Sequence, residues 1–152
     1  FAVLQPMYNL VKRQAEVEIL PLALAQGLAV IPYSPLGGGL LTGKYAGGTA
    51  PQVGRLLNNK MYQSRYSDAW MYSAAADFAN FATSLGYSPA ALAVAWVGQH
   101  PAVTAPIIGA RNLAQLEDSL KSVEIEMTVE LYEQISALTP RPAVATDRTE
   151  EG

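Results

Sequence analysis

Apolar residues open the chain in short unbroken runs, with neither strict alternation nor helical spacing. FAVLQPMY (1–8) and LAVIPY (28–33) are two such runs, and each reads as a strand buried on both faces. Between them Glu16 to Gln26 reads as a helix, with acids in its first turn and Gly27 as its stop. Pro21 fits badly inside it and moves the expected start later than Glu16. A third apolar run, VTAPIIG (103–109), predicts a third strand. The helical spacing is clearest from Asp68 to Leu85, where Met71, Ala74, Ala75, Phe78, Ala82 and Leu85 share a face and Gly86 ends the pattern. Ser88 and Pro89 form an N-cap and first-turn pair for a helix whose inner side carries Leu92, Ala95 and Trp96. A short helix is expected over 112–120, and a last one from Thr128 to Leu138 with Leu131, Ile135 and Leu138 inward. Strands alternating with helices through short joints make the fold class α/β, with a parallel sheet built from βαβ units. From Gly37 to about Ser67 the pattern lapses into an irregular stretch rich in Gly, Asn, Gln and Tyr.

Composition narrows the function. Half of the 152 residues are hydrophobic and 15% are charged, which predicts a folded domain. The net charge of −3 argues against nucleic acid or a membrane surface as partner. With no cysteine and one histidine, neither a disulfide nor a dedicated metal site is expected. No apolar run is long enough to cross a bilayer and no signal peptide is visible, so the expected location is the cytoplasm.

Candidate chemistry gathers at two turns. YSPLGGGLLTGK (33–44) follows the second strand and places three consecutive glycines where backbone N–H groups can approach a ligand closely. No acid occurs between Glu18 and Asp68, whereas Lys44, Arg55, Lys60 and Arg65 all do, a local excess that suits an anionic ligand. A flexible solvated loop accounts for the same residues equally well. At the third strand's end, IIGARN passes through Gly109 into a helix start near Asn112, an anion-favouring terminus with Arg111 beside it. Two basic loops and one short helix also make up the phosphate site of (β/α)₈ barrels. Gln115 has the more ordinary reading of capping-box partner to Asn112. Tyr33 is placed either to stack on a planar ligand or to pack a barrel mouth. His100, Phe78, Phe81 and Trp96 read as structural.

LQPMYN, YSPLGGGLLTGKY, SPAALAVAW and PIIGARNLAQL, in this order, resemble the C-terminal portion of the aldo-keto reductase family over about residues 1–138. The resemblance implies the C-terminal part of a (β/α)₈ TIM barrel, entered at about the sixth strand. It further implies NADP(H) as cofactor and reduction of an aldehyde or ketone by hydride transfer. Tyr33 resembles the tyrosine that stacks on the nicotinamide, and Gln5 the glutamine that bonds its carboxamide. Ser34, Pro35, Leu36, Gly37 and Gly38 match the loop around the pyrophosphate, with Lys44 closing over it. Gly109 leads to Arg111, which matches the contact to the adenosine 2′-phosphate. Gln115, Asp118 and Ser119 match the adenine side, although Asn is common in the family where Ser119 stands.

The family's Asp, Tyr, Lys and His tetrad lies in the other half of the barrel, so no catalytic residue is assigned here. A sheet of three strands cannot close a barrel, and the isolated chain is expected to be incomplete, inactive and open to self-association or to pairing with an N-terminal half. A non-catalytic dinucleotide-binding or interaction module, or a truncated product without activity, is the alternative. The segment 139–152 is expected to be a polar, flexible tail.

Overall fold

Three apolar runs lie side by side at the centre of the chain, but prolines shorten the ladders between them. In the computed structural model, which describes residues 1–45 and 54–144, β1 (Val3–Leu4) pairs in parallel with β2 (Ala29–Val30). Pairing extends past both elements through the Met7–Tyr33 bridge and through the bond from Tyr33 N–H to the Pro6 carbonyl. The predicted strand at 103–109 runs alongside β2, with Thr104 N–H on the Val30 carbonyl and Ile107 N–H on the Pro32 carbonyl. It forms only the Tyr33–Ile107 bridge, not a strand, and the first two strands are shorter than their apolar runs. Pro6, Pro32 and Pro106 explain the difference. Each lacks the N–H a ladder needs, so each can accept from its neighbour but not donate.

Helices fill the rest. After a 3₁₀ turn over Gln14–Glu16, α1 (Ile19–Gln26) begins late enough to hold Pro21 in its first turn, and Gly27 ends it at φ 63°. The stretch expected to be irregular holds a 3₁₀ segment over Gly37–Thr42 and two short helices, α2 (Arg55–Asn58) and α3 (Lys60–Arg65). Asn59 starts α3 by accepting from the N–H groups of Met61 and Tyr62. Residues 46–53 and the side chain of Arg55 lie outside the described part. Then come α4 (Ala69–Ser84), α5 (Pro89–Gln99), α6 (Leu113–Leu120) and α7 (Val129–Ser136). Ser88, Asn112 and Thr128 cap α5, α6 and α7. Leu85, assigned to the inner face of α4, is instead exposed at its C-cap.

The core is one cluster around Tyr8, Leu20, Leu41, Tyr66, Phe78, Leu92 and Trp96, all buried. On α5 burial covers Ala90 to Val94 and then Trp96 and Val97, so this helix is central rather than one-sided. The Arg13 side chain ties the segment after β1 to the end of α7. Arg13, 6% exposed, forks onto both Glu16 oxygens at 2.8 and 3.0 Å and donates to the Ser136 carbonyl and Thr139 Oγ1. Its guanidinium lies 5.5 Å over the Trp96 ring, which stacks on Tyr132 and donates from Nε1 to Ser136 Oγ. Tyr8 donates to Glu16 at 2.7 Å. Thr139 is therefore a buried anchor although the sequence places it in the tail, and from residue 145 the tail lies outside the described part.

Removing one member of such a buried pair strands the other charge. Arg13→Ala is expected to lower the unfolding free energy by about 3–5 kcal/mol in denaturant titration; a loss below about 1 kcal/mol, the level of a surface pair, contradicts this account. His100 supplies a second test. Its Nδ1 accepts from Ala102 N–H at 3.2 Å. Burial holds its pKa below the usual value, opposed by the negative charge of Glu16 and assisted by the positive charge of Arg13. The folded state thus binds a proton less readily than the unfolded one. The contribution is complete above about pH 6.5 and is lost as pH falls toward the depressed value. His100→Asn should show a shallower fall of melting temperature from neutral to acid pH, whereas parallel curves would exclude the effect.

Candidate functional site

The end of β2 turns sharply because four residues adopt left-handed backbone. Ser34 (φ 62°), Gly37 (57°), Gly38 (68°) and Gly39 (96°) all have positive φ, and Ser34 is the one non-glycine to do so among the described residues. Glycine is required at one of these positions for a further reason, since a Cβ on Gly38 would come within 2.7 Å of the Tyr62 ring. A Cβ on Gly39 would come within 2.9 Å of Lys44 Nζ, the end of a flexible side chain that can move aside. Thr42 Oγ1 donates to the Gly39 carbonyl at 2.8 Å and closes the turn. Lys44 Nζ also sits 5.0 Å over the ring of Tyr45.

The second turn, from Ile107 to Asn112, faces the first. Asn112 Oδ1 accepts from Gln115 N–H at 3.0 Å, the expected cap, while Gln115 Oε1 reaches back to the N–H of Arg111 at 3.0 Å. Gln115 thereby fixes the backbone of Arg111, one residue earlier than a reciprocal capping box does. Between the turns lie Ser88, Pro89 and Ala90 at the start of α5. Ser88 Oγ donates to Asp118 Oδ2 at 2.8 Å, and Lys121 stands 3.7 Å from Asp118 Oδ1, so this carboxylate is already partnered. Ser119 is buried beside it.

Together these parts enclose a cleft of about 720 Å³, within the range of small-molecule and cofactor sites. Of the residues singled out from the sequence, Tyr33, Ser34, Pro35, Leu36, Gly38, Lys44, Gly109, Arg111, Gln115, Asp118 and Ser119 all line it. Gly37 does not; it is buried behind the turn, its Cβ position 3.6 Å from Leu40, Tyr66 and Val11. Gln5 is exposed just beyond β1 and does not line the cleft. Strand alternation nevertheless carries it to the face shared by Met7, which pairs with Tyr33. The lining also includes Gly39 and, not assigned to a site beforehand, Thr42, Tyr62, Ile107 and the Ser88–Ala90 corner. Gly39 was legible as the third member of the glycine run; Tyr62 was not, because no spacing links it to the turn it covers.

The arrangement presents glycine backbone, the cations of Lys44 and Arg111, and apolar side chains to one space. This suits binding of an anionic ligand. Among the described residues no group of three His, Asp or Glu side chains could hold a metal ion, and no helix is long and apolar enough to cross a membrane.

The sequence profile described as "Aldo/keto reductase family" matches residues 1–140. The chain is 37% identical over 147 residues to "Uncharacterized oxidoreductase YrpG" of Bacillus subtilis, covering 93% of this chain and 41% of that protein. It is 38% identical to "Aldo-keto reductase" of Babesia bovis, covering 78% and 44%. It is 36% identical to "Probable voltage-gated potassium channel subunit beta" of Oryza sativa subsp. japonica, covering 88% and 42%. The chain thus spans about two fifths of the length of the curated relatives it matches.

The crowding at Gly38 is directly testable. Gly38→Ala should cost about 1–2 kcal/mol for the left-handed backbone alone, and more as Tyr62 is pushed aside. Chemical denaturation measures the total, and a variant as stable as the wild type would contradict the close approach of Tyr62.

Proposed function

The chain belongs to the aldo/keto reductase family, and on that premise we propose that its cleft holds NADP(H). Residues 1–138 would then form the C-terminal, cofactor-binding part of a (β/α)₈ barrel that reduces aldehydes or ketones to alcohols. One observation carries this reading: two basic, glycine-bearing turns, over 33–44 and 107–112 and 62 residues apart in the chain, converge on a single cleft. The residues present fit the cofactor. Gly38 and Gly39 line the cleft without side chains of their own, between Tyr62 and Lys44, which suits a close approach of backbone to a diphosphate.

When bound, the nicotinamide supplies the hydride that a carbonyl carbon accepts. This chain's own residues bind and orient. In this reading Tyr33, at the mouth, offers its ring face to the nicotinamide, and Gln5 offers its amide to the carboxamide. Ser34, Pro35, Leu36 and Gly38 bring backbone to the pyrophosphate, with Gly37 behind them shaping the turn, while Lys44 neutralises its charge. Arg111, its backbone held by Gln115, meets the 2′-phosphate. Gln115, Asp118 and Ser119 border the adenine, where Ser88 holds the Asp118 carboxylate in place. The proton for the nascent alkoxide would come from an Asp, Tyr, Lys and His tetrad carried elsewhere in the intact protein, with a general acid near the carbonyl oxygen. The unpaired edge of β1 is where the remainder of such a barrel would continue, and the cytoplasm is the location proposed for it.

A second reading rests on the name of the rice relative, a probable potassium channel β subunit. A protein built around this cleft would then bind the dinucleotide as part of a larger assembly, without turnover as its main role. Oxidation of NADPH by a panel of aldehydes, measured on a barrel completed with an N-terminal half that carries the tetrad, separates the two: binding without turnover favours the second.

Arg111→Glu tests the cofactor assignment. It should weaken NADPH by about tenfold or more, some 1.4 kcal/mol, in fluorescence titration. NADH, which lacks the 2′-phosphate, should change far less. Equal losses for both would remove Arg111 from that role.

A further inference from the structure

Asn9 lines no part of the cleft, yet it is completely buried and its side chain is fully engaged. Its Nδ2 donates to the Ser34 carbonyl at 3.0 Å and to Tyr66 Oη at 3.2 Å, while Oδ1 accepts from Val11 N–H at 3.1 Å. The partners fix which way the amide points, because a backbone carbonyl only accepts and a backbone N–H only donates. A further pair of backbone bonds, between Asn9 and Lys12, pins the asparagine's own main chain.

Both partners of Nδ2 belong to the glycine turn or its support. Ser34 carries a left-handed backbone (φ 62°), which a residue with a Cβ adopts only when its surroundings impose it. Tyr66, itself buried, lies 3.6 Å from the Cβ positions of Gly37 and Gly38, so its ring backs the turn from the side away from the cleft. Its hydroxyl donates to Met7 Sδ and stands 3.5 Å from Ser34 Oγ. One amide therefore joins the end of the first strand segment, the strained residue and the ring behind the glycines.

We propose that Asn9 is a positioning residue that holds Ser34 in its left-handed conformation and so sets the glycine turn at the height a diphosphate requires. The proposal rests on the cofactor reading above. Only an amide at this position both accepts from Val11 and donates to two oxygens. A carboxylate would set an anionic oxygen against the Ser34 carbonyl, and an apolar side chain would leave that carbonyl held by the Gly37 N–H alone, at 3.0 Å.

The test uses the full chain as encoded and NADPH as the probe, with affinities from fluorescence titration at neutral pH. Four proteins are compared: wild type, Asn9→Asp, Ser34→Gly, and the double variant. Asn9→Asp keeps the shape and the bond to Val11 but loses both donors, and it should raise the Kd for NADPH by about tenfold. Glycine adopts left-handed backbone unaided, so adding Ser34→Gly should recover at least about half of that loss on a logarithmic scale. Melting temperature should not recover in step, because the amide's own bonds remain missing. Asn9→Ala, which buries no charge, replaces the Asp variant if that one does not fold. An unchanged Kd in either Asn9 variant overturns the proposal while leaving the cofactor reading intact. A loss that Ser34→Gly does not rescue also overturns it and assigns Asn9 to general packing. A wild type that fails to bind NADPH overturns the cofactor reading and this proposal with it.

Discussion

Left-handed backbone at the end of β2 is the constraint on which the site depends. An L-residue in that region brings its Cβ against the following carbonyl, and the chain satisfies the requirement in two ways. Gly37, Gly38 and Gly39 remove the Cβ, and the buried bond from Asn9 fixes the carbonyl of Ser34, which retains one. The result is a turn whose Gly38 and Gly39 line the cleft. Tyr62 and Lys44 then occupy the space that side chains on Gly38 and Gly39 would have filled.

Rigid surroundings keep this turn in register with its opposite wall. Leu40 and Leu41 bury the far end of the turn in the core, and Gly43 approaches Ala79 of α4 closely, its Cβ position 3.1 Å away. The Ser88 corner at the start of α5 reaches Asp118 on α6, so one helix bridges the floor of the cleft and the wall that carries Arg111. Farther off, Arg13 and Glu16 tie the segment after the first strand to the end of α7. Site and core are thus coupled by a few polar groups that are buried and hydrogen-bonded, as low-dielectric surroundings demand.

Much of this was legible in the residues. The glycine run, the Ser88–Pro89 start, the Gly27 and Gly86 stops and the Asn112 cap each carry a local mechanism, and each appears where that mechanism puts it. The same holds for the lining of the cleft, since the ends of parallel strands and a helix N-terminus are brought together by topology. Other features depend on contacts between distant residues and leave no local trace. Proline spacing cut the third apolar run to a bridge, because a missing N–H matters only where a neighbour needs it. Tyr62 covers Gly38 from a helix whose sequence shows no apolar period, and Asn9 reads as a polar stop after a strand until Ser34 is seen beside it. Thr139 looked like the start of a tail because nothing nearby shows that Arg13 reaches it.

The central claim is that the turn after β2 and the turn before α6 act as two walls of one dinucleotide site. Amide hydrogen exchange with and without NADPH tests it most directly, because it reads both backbones at once. The account predicts that slowed exchange appears together over residues 36–43 and 110–115 and follows a single binding curve. Protection confined to one turn, or two curves with separate midpoints, would contradict it.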